Sequence, residues 1–598
     1  MDFGFRLYFE DKTVFIPESS LMGEKSGDKT IYHTEVADIR IRWEFQDIPS
    51  GALVKLCAER DTPLKLLRVD TLCLHPVIYK ETDHLTFFSN RWSRSGNRYP
   101  LELEENREYL ADCAGIFPNL ASKGISLAVV SPFKNIVSAC ASRHRGCIEF
   151  CAKTEFTSGM QELCVFESEC VLFLQDTTID ALYETYRSLL PKSTFPMPKL
   201  TGWNTWDYYL DRVTPEDIYE NIDALKHLPF ADKLHYIVLD DGWQKEWGDW
   251  CENEKFSCGL EQVAKRIVDA GFAAGIWMAP LLIKDSCPAF RADWLLKDES
   301  GTYFREIYDT YILDPTHPEA RKFVLDTYKH LYSCGYRLFK IDYLSCLLSI
   351  KKYHDQTATP YTALARLIKD IQACTGPDAV ILGCSLPIQC GSNIAPSMRI
   401  GVDIHNHFSH VSWIAESLSW TWMYNNYVTR IDPDFMIVRG EETADEPLIW
   451  EPGTPKYVAP KRASQMTEAD IFECHWRNGD QFNAVEAETW ANLVAISGGN
   501  IFLSDRIAVL NKKGISILTQ AFDAASECCK PIFLPDDRRL PSKWESEKAI
   551  LLINWEDVPV EKTITFCRAL HSCKPFCLND HKLTVTLQPH ESFLGIFA

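Results

Sequence analysis

Arg337-Leu338-Phe339-Lys340-Ile341-Asp342-Tyr343-Leu344 reads as a short buried strand that ends on two ionisable side chains. Leu338, Phe339 and Ile341 are apolar and strand-compatible. Lys340 and Asp342 stand two apart, so on a strand they share one side. A core strand has no reason to put two ionisable groups on one side unless they meet there, and that meeting is the expectation. The same pattern recurs at Tyr236-Ile237-Val238-Leu239-Asp240-Asp241-Gly242-Trp243 and at Met398-Arg399-Ile400-Gly401-Val402-Asp403-Ile404. An Asp that opens a turn accounts for one such strand. Three of them, with Lys340 and Arg399 close by, point to a barrel whose rim gathers carboxylates from strand ends.

The flanking sequence alternates strand and helix, which implies parallel strands with crossover helices. Thr214 is a suitable N-cap with Pro215 at the first helical position, and Ile218, Ile222 and Leu225 form one face. A second helix runs from about Leu260 to Ala270 and stops at Gly271. Strands are predicted near Leu200–Trp203, Tyr236–Leu239, Ala273–Met278, Leu338–Ile341, Ala379–Leu382, Met398–Val402, Phe435–Val438 and Asn500–Leu503. The fold class expected is therefore α/β, a (β/α)8 TIM barrel over residues 196–525. Residues 1–195 read as an N-terminal β-sandwich: Ile39, Ile41, Trp43 and Phe45 alternate with polar residues. Turn signals such as Pro49-Ser50-Gly51 and Ser95-Gly96-Asn97 separate its strands. Residues 526–598 read as a small C-terminal antiparallel β-domain. A polar insertion between Gly440 and Glu486 follows the seventh strand. A lid, a homo-oligomer contact and an inert surface loop are the readings of it.

The chain has 598 residues, 46% apolar and 24% charged, with a net charge of −21. Spread acidity argues against a nucleic-acid or anionic-membrane partner. No basic-then-apolar leader is read at the start and no apolar run approaches a membrane span, so the expectation is a cytoplasmic protein. The 22 cysteines are scattered. Most are expected to be reduced, half-buried thiols acting as small apolar residues.

These strand ends resemble the clan D glycoside hydrolases, the retaining α-galactosidases of families 36 and 27. Lys340-Ile341-Asp342 is similar to the nucleophile motif, Asp240-Asp241-Gly242-Trp243 to the sugar-binding pair, and Gly202-Trp203-Asn204-Thr205-Trp206 to the entry of the first strand. Arg399 and Asp403 are similar to the Arg and acid/base Asp of the sixth strand, and Asp432-Pro433-Asp434-Phe435 to the run on the seventh. The resemblance implies Asp342 as nucleophile and Asp403 as acid/base, with no cofactor. It implies Asp240 and Asp241 as binders of galactose hydroxyls and a terminal α-galactoside as substrate. Cys384, in Gly383-Cys384-Ser385-Leu386-Pro387, lies where these families sense the group at C2. The glycine run that usually follows is missing, and small Cys384 and Ser385 leave room for an N-acetyl group, so α-N-acetylgalactosaminidase activity stays open.

The residue types suit this chemistry. Retaining hydrolysis needs two carboxyl groups about 5–5.5 Å apart. Lys340 is expected to favour the ionised form of Asp342. Arg399 is expected to contact sugar hydroxyls or another carboxylate, because direct pairing would hold Asp403 ionised. Trp203, Trp206 and Trp243 offer faces for a sugar ring, with core packing as the alternative. His405, His407 and His410 fit no zinc signature, so no metal is expected, and substrate or solvent contact is the reading. Thr205-Trp206-Asp207 also resembles plant raffinose synthases, which transfer galactose through the same kind of intermediate. A sugar-binding protein on a decayed barrel is the non-enzyme alternative.

Overall fold

The computed structural model describes residues 2–598 except 18–21, 37, 64, 76–85, 91–100, 103, 105, 112, 145–146, 160–163, 299 and 446–480. The turn at Ser95-Gly96-Asn97 and most of the insertion after Gly440 thus lie outside the described residues.

Eight parallel strands close a barrel. In order they are Thr201–Asn204, Tyr236–Leu239, Ala273–Met278, Leu338–Ile341, Val380–Gly383, Ser397–Arg399, a seventh in two halves, and Ile501–Leu503. The seventh begins at Arg430, earlier than the sequence suggested, and breaks. Arg430–Asp432 pairs with the sixth strand, and Phe435–Met436 pairs with the eighth. Pro433 has no N–H to give a ladder, and Asp434 adopts φ +79°, so the chain jogs between its two neighbours at this point. Because the two ends of the sheet are halves of one strand, the sheet is closed.

Helix signals in the sequence act as read. Thr214 caps Pro215–Leu225 by accepting from the Asp217 N–H, and Asp217 reciprocates, a capping box. Helix Ala484–Ile496 is buried on nearly every side. It is covered by the barrel on one flank and on the other by a C-terminal antiparallel sheet built on Ala549–Ile553 and Ser592–Phe597.

The N-terminal region forms two antiparallel sheets packed face to face. Aromatic side chains fill the space between them: Phe3 meets Phe173 at 5.1 Å and Phe5 meets Trp43 at 4.5 Å, both edge to face. This sandwich touches the barrel at loops that follow the fourth and fifth strands. Ser158 N–H donates to Lys351, Phe133 N–H donates to Gln389, and Glu155 pairs with Lys351. A Cβ on Gly159 would lie 1.7 Å from the carbonyl oxygen of Gln356, so only glycine fits there.

On the rim, Arg439 locks four loops. Its Nη1 donates to Asp505 after the eighth strand at 2.8 Å. Its Nη2 meets Asp207 after the first strand at 2.5 Å. Asp207 also holds His405, after the sixth strand, at 2.9 Å. All four side chains are buried. Arg439→Met should leave two buried carboxylates without their cation and cost about 3–5 kcal/mol. Denaturant unfolding followed by tryptophan fluorescence checks this: a midpoint unchanged from wild type would contradict it.

Candidate active site

The carboxylates of the three strand ends do reach the rim, with partners that differ from those expected. Lys340 does not meet Asp342. Its Nζ donates to Asp240 Oδ2 at 2.7 Å, with both side chains about 95% buried or more. Burial pushes the Lys340 ammonium toward neutrality, and Asp240, Cys384 and Asp434 together outweigh it, so Lys340 stays charged. Asn204 also donates to Asp240 Oδ2, at 2.8 Å, and the Asp241 N–H donates to Oδ1. The first, second and fourth strands are thereby tied at one atom.

Asp342 instead sits one residue past its strand, half-buried, and takes hydrogen bonds from three donors. Trp277 Nε1 reaches Oδ2 at 3.1 Å, and Ser385 Oγ and the Tyr343 N–H reach Oδ1 at 3.2 and 2.6 Å. Tyr343 and Ser385 both have φ +56°, a left-handed backbone that costs a non-glycine residue energy and gathers at functional sites. Behind Asp342 stands an aromatic wall. Trp277 meets Trp247 edge-on at 5.5 Å, Trp247 stacks on Tyr308 at 4.7 Å, and Tyr343 meets Trp247 at 5.1 Å.

Asp403 is the more open group, with its side chain 44% exposed. Arg399 pairs with it directly, Nη2 to Oδ1 at 2.6 Å, which corrects the expectation that it would not. The same Nη2 also reaches Asp434 at 2.8 Å, and Asp434 accepts the Ile404 N–H at 2.6 Å. Cys384 is buried beneath them, its Sγ 3.8 Å from Arg399 Nη1. Burial pushes the Cys384 thiol up, so it stands there as a neutral thiol.

Two of the three tryptophans are core residues. Trp203 is fully buried, donates to the Asp505 carbonyl at 2.8 Å and lies on the opposite strand face from Asn204. Trp243 is fully buried and donates to the Trp277 carbonyl. Trp206 remains partly open. The three histidines are buried rather than solvent-facing, and no His/Cys/Asp/Glu group among the described residues has the geometry to hold a metal. Sequence reading missed Trp277, Arg439, Asp505 and the role of Asp434. Only Asp434 carried a signal, in Asp432-Pro433-Asp434-Phe435.

The closed (β/α)8 barrel thus gathers three cation–carboxylate units at its C-terminal rim, centred on Lys340, Arg439 and Arg399. Residues 183–362 match the Melibiase family model. The bifunctional alpha-galactosidase/sucrose kinase AgaSK of Mediterraneibacter gnavus is 30% identical over 121 residues, 19% of this chain and 12% of that protein. The chain thus spans about an eighth of the length of that relative. Among solved structures, the GH36 alpha-galactosidase AgaA from Geobacillus stearothermophilus superposes with a TM-score of 0.61 at 11% identity, covering 99% of this chain and 89% of that one. TtGalA, an alpha-galactosidase from Thermus thermophilus, superposes at 0.57 with 16% identity, covering 88% and 97%. These two likenesses concern the fold.

Asp241 is buried, and its carboxyl is pushed up to about 7 by that burial, with Asp240 and Asp211 adding to the effect against a hydrogen bond from Gln244. The unfolded chain ionises it near pH 4. Between those values the folded state holds the extra proton, so this group's contribution falls as pH rises from about 4 to about 7 and is flat above. Asp241→Asn should gain stability relative to wild type across that window. Denaturation midpoints measured every half pH unit check this, and parallel curves would refute it.

Proposed function

We propose that this protein is a retaining, exo-acting α-galactosidase that removes terminal α-linked galactose by double displacement. The observation that carries the reading is Asp342, held in one orientation by three donors, two of them on left-handed residues, with Asp403 in the loop after the sixth strand of the same rim. The match of residues 183–362 to the Melibiase model, which includes Asp342, supports it. So do the saccharides bound by structural neighbours: TtGalA is known in complex with stachyose and an AgaA variant with raffinose.

In this reading Asp342 attacks the anomeric carbon, forming a glycosyl ester as the glycosidic C–O bond breaks. Three hydrogen bonds fix the carboxylate before attack, so little reorganisation is needed at that moment. Asp403 gives its proton to the leaving oxygen. It then takes one from the water that opens the ester. Asp240, already occupied by Lys340, Asn204 and the Asp241 N–H, serves chiefly to fix the floor of the sugar site. Asp241 and the half-open Trp206 are left as the side chains that meet the sugar. Arg399 and Cys384 lie at the edge where the group at C2 would sit.

Early-time proton NMR of α-galactoside hydrolysis should show the α-anomer first, and initial β-anomer would overturn the retaining mechanism. Asp342→Asn should lose at least about 10⁴-fold in kcat, because an amide cannot form the ester. That loss corresponds to about 5.5 kcal/mol of barrel-rim transition-state stabilisation. Circular dichroism should show its fold unchanged. Asp403→Ala should slow disaccharides far more than nitrophenyl α-galactoside, whose leaving group needs little protonation. Equal losses in the glycosylation step would remove Asp403 from the acid role.

A further inference from the structure

Resting on the reading of Asp403 as acid/base, the structure assigns Asp434 a part in the chemistry. We propose that Asp434 is a positioning residue that shares Arg399 with Asp403, so that Asp403 can carry the proton that leaving-group departure requires.

The geometry poses a problem that Asp434 solves. A guanidinium 2.6 Å from Asp403 favours the carboxylate, whereas acid catalysis needs the carboxylic acid. A second carboxylate 2.8 Å from the same nitrogen changes the balance. Two carboxylates on one guanidinium leave a negative charge unmatched, and one proton relieves it. Such carboxyls titrate as a pair rather than singly. Asp434 is 1% exposed, whereas Asp403 is open to the site, so it is Asp403 that can exchange the proton with a substrate oxygen. During leaving-group departure that proton passes to the glycosidic oxygen. During hydrolysis of the ester a proton returns from water to the same carboxylate.

The position of Asp434 is specific to this task. It occupies the left-handed break of the seventh strand, and its Oδ2 accepts the N–H of Ile404, the residue directly after Asp403. Its own N–H donates to Asp432 at 2.9 Å. The other charged or titratable groups facing this cluster are Lys340 from the fourth strand, Asp342 after it, Cys384 after the fifth and Asp432 on the seventh. All of these persist when Asp434 alone is changed. Burial pushes the Asp434 carboxyl upward and Asp403 adds to this, against the pull of Arg399, the direction expected of a pair that retains a proton.

The test compares wild type with Asp434→Asn, which keeps the size and an oxygen for the Ile404 N–H but removes the charge. With Arg399 left to Asp403 alone, the alkaline limb of kcat/KM for an α-galactosyl disaccharide should move down by at least about one pH unit. At the wild-type optimum the disaccharide should lose at least about 10-fold, and nitrophenyl α-galactoside under about 3-fold. Asp434→Glu should restore the limb. An alkaline limb at the wild-type pH, with equal losses on both substrates, would mean a merely structural role and would overturn the proposal. Should Asp434→Asn fold poorly, or should α-galactosides prove not to be the substrate, pH-difference infrared spectra of wild type and Asp403→Asn decide. Coupled carboxyls predict that removing Asp403 also displaces the titration of Asp434. A clean one-carboxyl difference overturns the pair whatever the substrate.

Discussion

The Lys340–Asp240 pair is the constraint on which the rim depends. A buried ammonium costs several kcal/mol to desolvate and is tolerated only with a close, well-bonded counter-charge. Here the counter-charge comes from two strands away, and Asn204 of the first strand completes it. The ladder of parallel strands fixes how far each can slide, and this polar knot fixes where their ends stand. Lys340 also lies 5.1 Å from the ring of Phe435, in the second half of the seventh strand. One cation thus relates four strands of the barrel. The pair is internally neutral, so it sets geometry without adding net charge beside Asp342.

Charge is arranged around the rim in three such units. Lys340 neutralises Asp240, Arg439 bridges Asp207 and Asp505, and Arg399 bridges Asp403 and Asp434. The first is balanced and inert, and the second is wholly buried and structural. Only the third reaches solvent, through Asp403. The same chemical grammar, a cation among carboxylates at strand ends, therefore serves stability in two places and leaves a single point open to an incoming molecule. Asp342 belongs to none of the three. Its partners are an indole, a hydroxyl and a backbone N–H, neutral donors that orient a carboxylate without cancelling its charge.

Much of this was legible in sequence. Apolar runs ending in Asp placed the second, fourth and sixth strands, and strand–helix alternation gave the barrel. Side-chain partners were harder, because strand parity gives the face and not the neighbour. Lys340 lies in register with Trp277 on the third strand and reaches past it to Asp240. Asp342 falls one residue past its strand, its N–H still bonded to Met278 of the third strand, and the left-handed Tyr343 then re-aims the chain. Parity did decide Trp203, which stands opposite Asn204 and so packs outward, but the motif drew attention to the residue type instead. The break in the seventh strand was spelled by Pro433. Its consequence for Asp434 needed the closed barrel to be seen. Trp277 had no local signal, since a tryptophan in an apolar strand reads as core.

The contact between the N-terminal sandwich and the loops after the fourth and fifth strands bears on how such a protein can change. Gly159 and Phe133 press on Gln356 and Gln389, in the loops that carry Asp342 and Ser385 away from the fourth and fifth strands. Within the barrel those loops rest also on helix Pro360–Thr375, through Arg366 to Asp355 and Tyr361 to Cys390. The barrel is still not a self-sufficient module of inheritance: transplanted without its sandwich, it would keep its rim carboxylates and lose one side of the brace on these loops. Conversely, substitutions on the sandwich surface at these contacts offer a route to reshape the approach to the rim while every carboxylate stays in place.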